Sequence, residues 1–241
     1  SMKIRMKRKL AVVLLICISC HIGWAAQDFV WKSGQNMKVV CDTTEAPVVK
    51  VALDLLKRDC RSVLSGEISR SENTGNIYVG TWGESSVLQA LADTRQLDVA
   101  QLDEHREAFL LNVLPDGRLV VAGSDKRGTA YGVLELSRMM GVSPWEWWAD
   151  AVPEKKEEFC LPAGFRKLEY PQVAYRGIFI NDEDWGLTPW SWKHYEPSER
   201  KGQIGPKTHA RIFELLLRLR ANTFWPAMHE CSIPFFFTEG N

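Results

Sequence analysis

Between Val173 and Met228 an apolar strand, an amphipathic helix and a second strand follow one another. This order constrains the fold more than any other feature of the 241-residue chain. Val173 to Ile180 reads as a strand of the buried kind. Lys207 to Arg220 carries Ile212, Leu215, Leu216 and Leu219 at helical spacing, and Ala221-Asn222 ends it. Thr223 to Met228 is the second strand. Strands joined through a helix must run parallel, because a tight turn would reverse the chain. A (β/α)8 barrel begins this way, and one βαβ unit cannot close it. The expectation is therefore an incomplete TIM barrel over residues 173–241, its last apolar cluster being Phe235-Phe236-Phe237.

Residues 27–141 read as a separate small α/β domain. Residues 29–40 alternate around Phe29, Trp31, Met37, Val39 and Val40, with Gly34-Gln35-Asn36 as a turn between two strands. Pro47 opens a helix whose apolar positions are Val49, Leu53, Leu56, Cys60 and Val63, and Gly66 closes it. A strand at Ile77 to Gly80 and a helix at Glu84 to Arg95 follow. Asp116-Gly117 between Phe109–Leu114 and Leu119–Ala122 predicts a hairpin. A third helix runs on to Gly141. Strands joined both directly and through helices imply a mixed sheet covered by helices. Residues 142–172, with Trp145, Trp147, Trp148 and several prolines, read as a Trp-rich connection packing between the two domains.

The first 26 residues read as an address. Lys3, Arg5, Lys7, Arg8 and Lys9 precede the apolar run Leu10 to Trp24, and Ala25-Ala26 follows. That is the pattern of a secretory signal peptide cleaved near Ala25 or Ala26, and it is too short for a comfortable membrane span. The expected location is periplasmic or extracellular, with lipoprotein anchoring at Cys20 ranked lower. Removing the leader leaves 25 basic against 30 acidic residues. A mildly acidic chain is a poor partner for nucleic acid. Cys41, Cys60, Cys160 and Cys231 remain, at spacings that match no zinc pattern, and free thiols are expected.

Two polar clusters follow the two barrel-type strands: Asn181-Asp182-Glu183-Asp184-Trp185 and Trp225-Pro226-Ala227-Met228-His229-Glu230. A parallel barrel carries its active site at the C-terminal ends of its strands, so both clusters fall on one rim. Carboxylates, an amide, an imidazole and indoles on one rim suit glycoside hydrolysis, which needs paired carboxyl groups beside the scissile bond. Each cluster also has a plainer reading. The acids can be a solvated turn, His229 a surface histidine, and Trp225 ordinary core. A calcium site does not fit the spacing.

Tyr175-Arg-Gly-Ile-Phe-Ile-Asn-Asp-Glu-Asp-Trp-Gly-Leu187, Ile204-Gly-Pro-Lys207 and the run Ala210 to Glu230 resemble the start of the catalytic barrel in glycoside hydrolase family 115. Gly123 to Gly132 and Gly141 to Asp150 resemble the small α/β domain that precedes the barrel there and in hexosaminidase-like enzymes. The resemblance implies a secreted xylan α-glucuronidase that removes (4-O-methyl)glucuronic acid with inversion and without metal or cofactor. It implies glucuronoxylan or a related polysaccharide as partner and allows a homodimer formed through further domains. Asp182 matches the family's acid after the first strand, and Trp225 the tryptophan after the second. Asp182 would orient the uronic ring or help the attacking water without being the general acid. Asn181 and Glu230 are expected beside them as substrate contacts, and Arg176 is expected to be structural. The 241-residue chain by itself is expected to be inactive. A hexosaminidase-like hydrolase and a non-catalytic carbohydrate-binding surface protein are the alternatives.

Overall fold

The computed structural model describes residues 25–181, 185–227 and 233–241. Residues 1–24 of the expected leader therefore lie outside the described residues, as do Asp182, His229, Glu230 and Cys231.

The N-terminal domain is built on six strands: β2 (Asn36–Cys41), β3 (Glu67–Ser71), β4 (Ile77–Thr81), β5 (Phe109–Val113), β6 (Leu119–Gly123) and β8 (Arg166–Glu169). Their order is β3-β2-β4-β6-β5-β8. The first four neighbours are parallel, while β5 runs antiparallel to both β6 and β8. The central strands are buried on both faces and so read as continuous apolar runs. Ile77, Val79, Leu119, Val121, Phe109 and Leu111 enter one core with helices α1 (Pro47–Leu64) and α3 (Lys126–Met140). The alternate residues Tyr78, Val120, Ala122 and Leu110 enter a second core with α2 (Ser86–Asp93). This is the two-residue period of a strand expressed as two cores.

Local chemistry fixes the helix ends. Pro47 occupies the first turn of α1, and the Ser85 hydroxyl accepts from the Leu88 amide at the start of α2. Asp125 Oδ1 accepts from the Gly128 amide at 2.8 Å, and Gly141 ends α3 at φ 105°. The glycines of the 123–132 segment have a steric reason. A β-carbon on Gly128 would stand 2.1 Å from the Ala108 carbonyl oxygen, and one on Gly123 would stand 2.0 Å from the Thr129 amide nitrogen. Helix α3 therefore lies closer to the sheet than a side chain at either position allows. At the same end of the sheet the buried Glu45 carboxylate accepts from the Thr81 amide at 2.7 Å and its hydroxyl at 3.0 Å.

Two sequence expectations are corrected here. Strand β1 (Phe29–Lys32) does not pair with β2 across the Gly34 turn; it pairs antiparallel with β7 (Glu158–Leu161). Residues 142–172 are more than a connection, because β7 and β8 lie within them and β8 completes the six-stranded sheet. Both are only four residues long, and Arg166-Lys-Leu-Glu169 is a sheet edge with little apolar signal. Strand β3, an exposed edge of similar character, also escapes the pattern.

The second unit is a βαβ: β9 (Gly177–Phe179), α5 (Pro206–Arg218) and β10 (Thr223–Trp225), with β9 and β10 parallel in the register Phe179↔Trp225. The expected strand from Val173 to Ile180 shortens to three exposed residues. The long loop after it is partly helical, with α4 (Leu187–Trp190) running into a π turn at Ser191–Tyr195.

Ion pairs and aromatic rings join the two units. Arg218 donates to Asp59 at 2.8 and 3.0 Å, both side chains being almost fully buried. Arg58 pairs with Glu214. Arg220 reaches Glu169 and, at 2.6 Å, Glu135, which also accepts from Arg138 and Lys167. Trp147 packs edge-on against Trp190 and Tyr195, Arg211 stacks over the Trp147 ring, and the Trp148 indole donates to the Arg211 carbonyl.

Burial alone would raise the Glu135 carboxyl, but hydrogen bonds from Arg138 and Lys167 and the Arg220 charge overcome it and hold it at about 2. The folded carboxyl is thus lowered from 4.5, so its stabilisation is present above that value and is lost as pH falls towards 2. Acid titration of stability should show this loss in the wild type and a flatter limb in Glu135→Gln. At pH 7 that variant should lose about 1–3 kcal/mol in denaturant unfolding, since it replaces a buried carboxylate that accepts hydrogen bonds from three partly solvated cations. Gly128→Ala should lose about 1–3 kcal/mol in the same measurement through overpacking against Ala108.

Candidate functional site

The parallel pair β9/β10 brings the first residues of the two sequence-predicted clusters, Asn181 and Trp225, to one edge. Ile180 donates its amide to the Trp225 carbonyl at 2.9 Å, so the ladder continues to the point where both clusters begin. A β-carbon on Gly177 would meet the Thr223 carbonyl oxygen at 1.7 Å; only glycine allows the strands to start this close.

Helix α5 covers one face of the pair. Phe224 packs edge-on against Phe213 at 5.2 Å and His209 at 5.6 Å, and Phe235 closes on the same group. His209 is buried, with Nδ1 within 3.0 Å of the Gly205 carbonyl and 3.1 Å of Asn241 Oδ1. Burial pulls its ring below the usual histidine value, against the raising effect of those bonds. It is a structural histidine at the start of α5. The phenylalanine run is split: Phe235 joins this cluster, while Phe236 and Phe237 stay exposed.

The opposite face carries the candidate site. Phe179 and Trp225 are register partners, and their rings meet edge-to-face at 6.2 Å and 78°. Both are more than half exposed, Trp225 at 61 %. Two residues beyond Phe179, Asn181 continues the same strand parity and is exposed. Trp185 is also exposed. An open apolar indole edge with an adjoining amide is a surface for the C–H face and hydroxyls of a sugar ring. The structure thus brings Asn181 and Trp225 to one edge. The two predicted acids, Asp182 and Glu230, lie outside the described residues. Phe179 is the partner that sequence reading missed, because register alone places it beside Trp225.

Arg176 lies just before β9 and faces away from this edge. It donates to Glu107, to the carbonyls of Val173 and Ala174, and to that of Arg220. Burial would raise Glu107, but the Arg176 and Asn222 hydrogen bonds outweigh it and keep the carboxyl below its usual value. Glu107 carries no sequence signal of its importance.

Among the described residues no group of three or more His, Cys, Asp or Glu is arranged to hold a metal ion. Cys41, Cys60 and Cys160 are free thiols; burial pushes the first two up to about 12, where they stay protonated at neutral pH. No helix among the described residues is long and apolar enough to cross a membrane.

A search of curated protein sequences gives no match. Among solved structures, the chain is similar to BtGH115A, a family GH115 4-O-methyl-α-glucuronidase with specificity for decorated arabinogalactans. The two share 60% sequence identity at a TM-score of 0.84, over 88% of this chain and 28% of that one. The chain therefore spans about a quarter to a third of that relative's length. A β-hexosaminidase mutant from Streptomyces plicatus matches at 16% identity and a TM-score of 0.48, over 83% of this chain and 31% of that one. CpGH84D matches at 15% identity and the same TM-score, over 83% and 35%. The family model described as glycosyl hydrolase family 115 matches residues 168–239, the segment that forms the βαβ unit and the candidate edge. With that match and the 60% identity of the solved relative, the chain belongs to glycoside hydrolase family 115.

Proposed function

We propose that the full-length protein is an exported α-glucuronidase that releases 4-O-methylglucuronic acid from plant polysaccharide side chains. The observation that carries this reading is the 60% identity, over 88% of the chain, to a 4-O-methyl-α-glucuronidase. The specificity of that relative for decorated arabinogalactans favours arabinogalactan as the polymer over the xylan expected from the sequence.

In this mechanism β9 and β10 supply one side of a sugar pocket at the C-terminal edge of a barrel. Trp225 presents its indole to the apolar face of the uronic ring, and Asn181 bonds a ring hydroxyl. Asp182 orients the ring or the attacking water, and Glu230 contacts the substrate after the second strand. An inverting reaction places the acid and base carboxyl groups about 6.5–9.5 Å apart so that water fits between base and anomeric carbon. The general acid belongs to strands beyond this βαβ unit.

The test uses the gene expressed to its natural stop codon, with decorated arabinogalactan and glucuronoxylan as separate substrates. Release of 4-O-methylglucuronic acid by the wild type is expected, faster from arabinogalactan. Asp182→Ala, checked for folding, should lose at least about a hundredfold in rate, about 2.7 kcal/mol in the barrier. Trp225→Ala should raise KM about three- to tenfold through the lost stacking surface. Binding of either glycan without release would favour a carbohydrate-binding protein, and release of N-acetylhexosamine a hexosaminidase-like one. N-terminal sequencing of the exported protein should find a start just after Ala25 or Ala26.

A further inference from the structure

Glu107 stands at the opposite end of β9 and β10 from the candidate edge. Its carboxylate accepts from Arg176 Nη1 at 3.1 Å, from Asn222 Nδ2 at 3.1 and 3.2 Å, and from the Tyr131 hydroxyl at 3.3 Å. Arg176 is the residue before β9, and Asn222 the residue before β10. These two are also tied to each other. Asn222 Oδ1 accepts from the Arg176 amide at 3.0 Å, and the Arg176 carbonyl accepts from the amides of Asn222 and Thr223 at 2.8 and 2.9 Å. Both strand entries therefore close on one buried carboxylate of the other domain.

The backbone at Glu107 adds a second observation. Its φ is +53°, in the left-handed region, and its amide is held by Asp125 Oδ2 at 2.8 Å. A non-glycine residue is rarely found there and persists only where its surroundings fix it. Here the turn before β5, tied to the Asp125 cap of α3, carries the carboxylate that meets the two strand entries.

Register matters because a strand has a period of two. A slip of one residue between β9 and β10 would separate Phe179 from Trp225 and turn one of them towards α5. A carboxylate suits the position because it only accepts, and it faces donors from Arg176, Asn222 and Tyr131. Glutamine would turn a donor towards one of them.

We infer that Glu107 is a positioning residue: it fixes the relative register of β9 and β10, and so which face presents Asn181 and Trp225. The functional meaning of that face rests on the glucuronidase reading above, but the register role is tested without turnover. Residue-resolved hydrogen exchange on the full-length protein would compare wild type, Glu107→Ala and the milder Glu107→Gln. The amides of Thr223 and Ile180, which donate across the two strands, should exchange at least about tenfold faster in Glu107→Ala. Those of Leu111 and Val121 in the first sheet should keep their rates. Glu107→Gln should fall between and decides the matter if the alanine variant does not fold. Unchanged exchange at Thr223 and Ile180 overturns the inference, and so does an equal acceleration at Val121, which would mean only general loss of stability. Because the readout is exchange, a wrong substrate assignment leaves it intact.

Discussion

The structure depends on buried carboxylates of the N-terminal domain that take cations from the βαβ unit. Asp59 on α1 holds Arg218, Glu135 on α3 holds Arg220, and Glu107 before β5 holds Arg176. All three acids are below a tenth exposed. An ionised carboxylate so placed is strongly unfavourable unless it is paired. Part of each domain's internal satisfaction therefore lies across the joint. Losing Arg218 removes the two hydrogen bonds that hold the buried Asp59 carboxylate, which ties the stability of the N-terminal domain to the presence of the second unit.

That joint also explains how so small a unit keeps its geometry. Two strands of three residues each form a weak sheet on their own. Here their entries are anchored by Arg176 and Asn222, one face is covered by α5 through Phe224, and the close approach at Gly177 sets the strand spacing. The uncovered face is left to Phe179 and Trp225. Rigidity comes from the scaffold side and exposure from the other, an arrangement suited to a site that must be both fixed and open.

Family membership and structure meet at the same place. The family model covers residues 168–239, while the solved relative aligns with 88% of the chain and so reaches well into the N-terminal domain. The acidic side of the joint lies in that domain and the arginines in the βαβ unit. The small domain is thus part of the framework that holds β9 and β10.

The sequence by itself determined the elements whose cause is local. The periodicity of α1 and α5, the Asp116-Gly117 hairpin and the end of α3 at Gly141 follow from neighbours a few residues apart, and the parallel βαβ follows from the order of its elements. It also placed Asn181 and Trp225 at strand ends, because strand alternation and the βαβ rule are local. Tertiary structure alone decided the rest. The pairing of β1 with β7 spans over a hundred residues, and β8 joins the sheet through a charged edge that carries no apolar pattern. Glu107 reads as one surface acid among many until Arg176 and Asn222, 69 and 115 residues away, close on it. A charge shows its role only through its partner, and which partner it meets is a property of the folded chain.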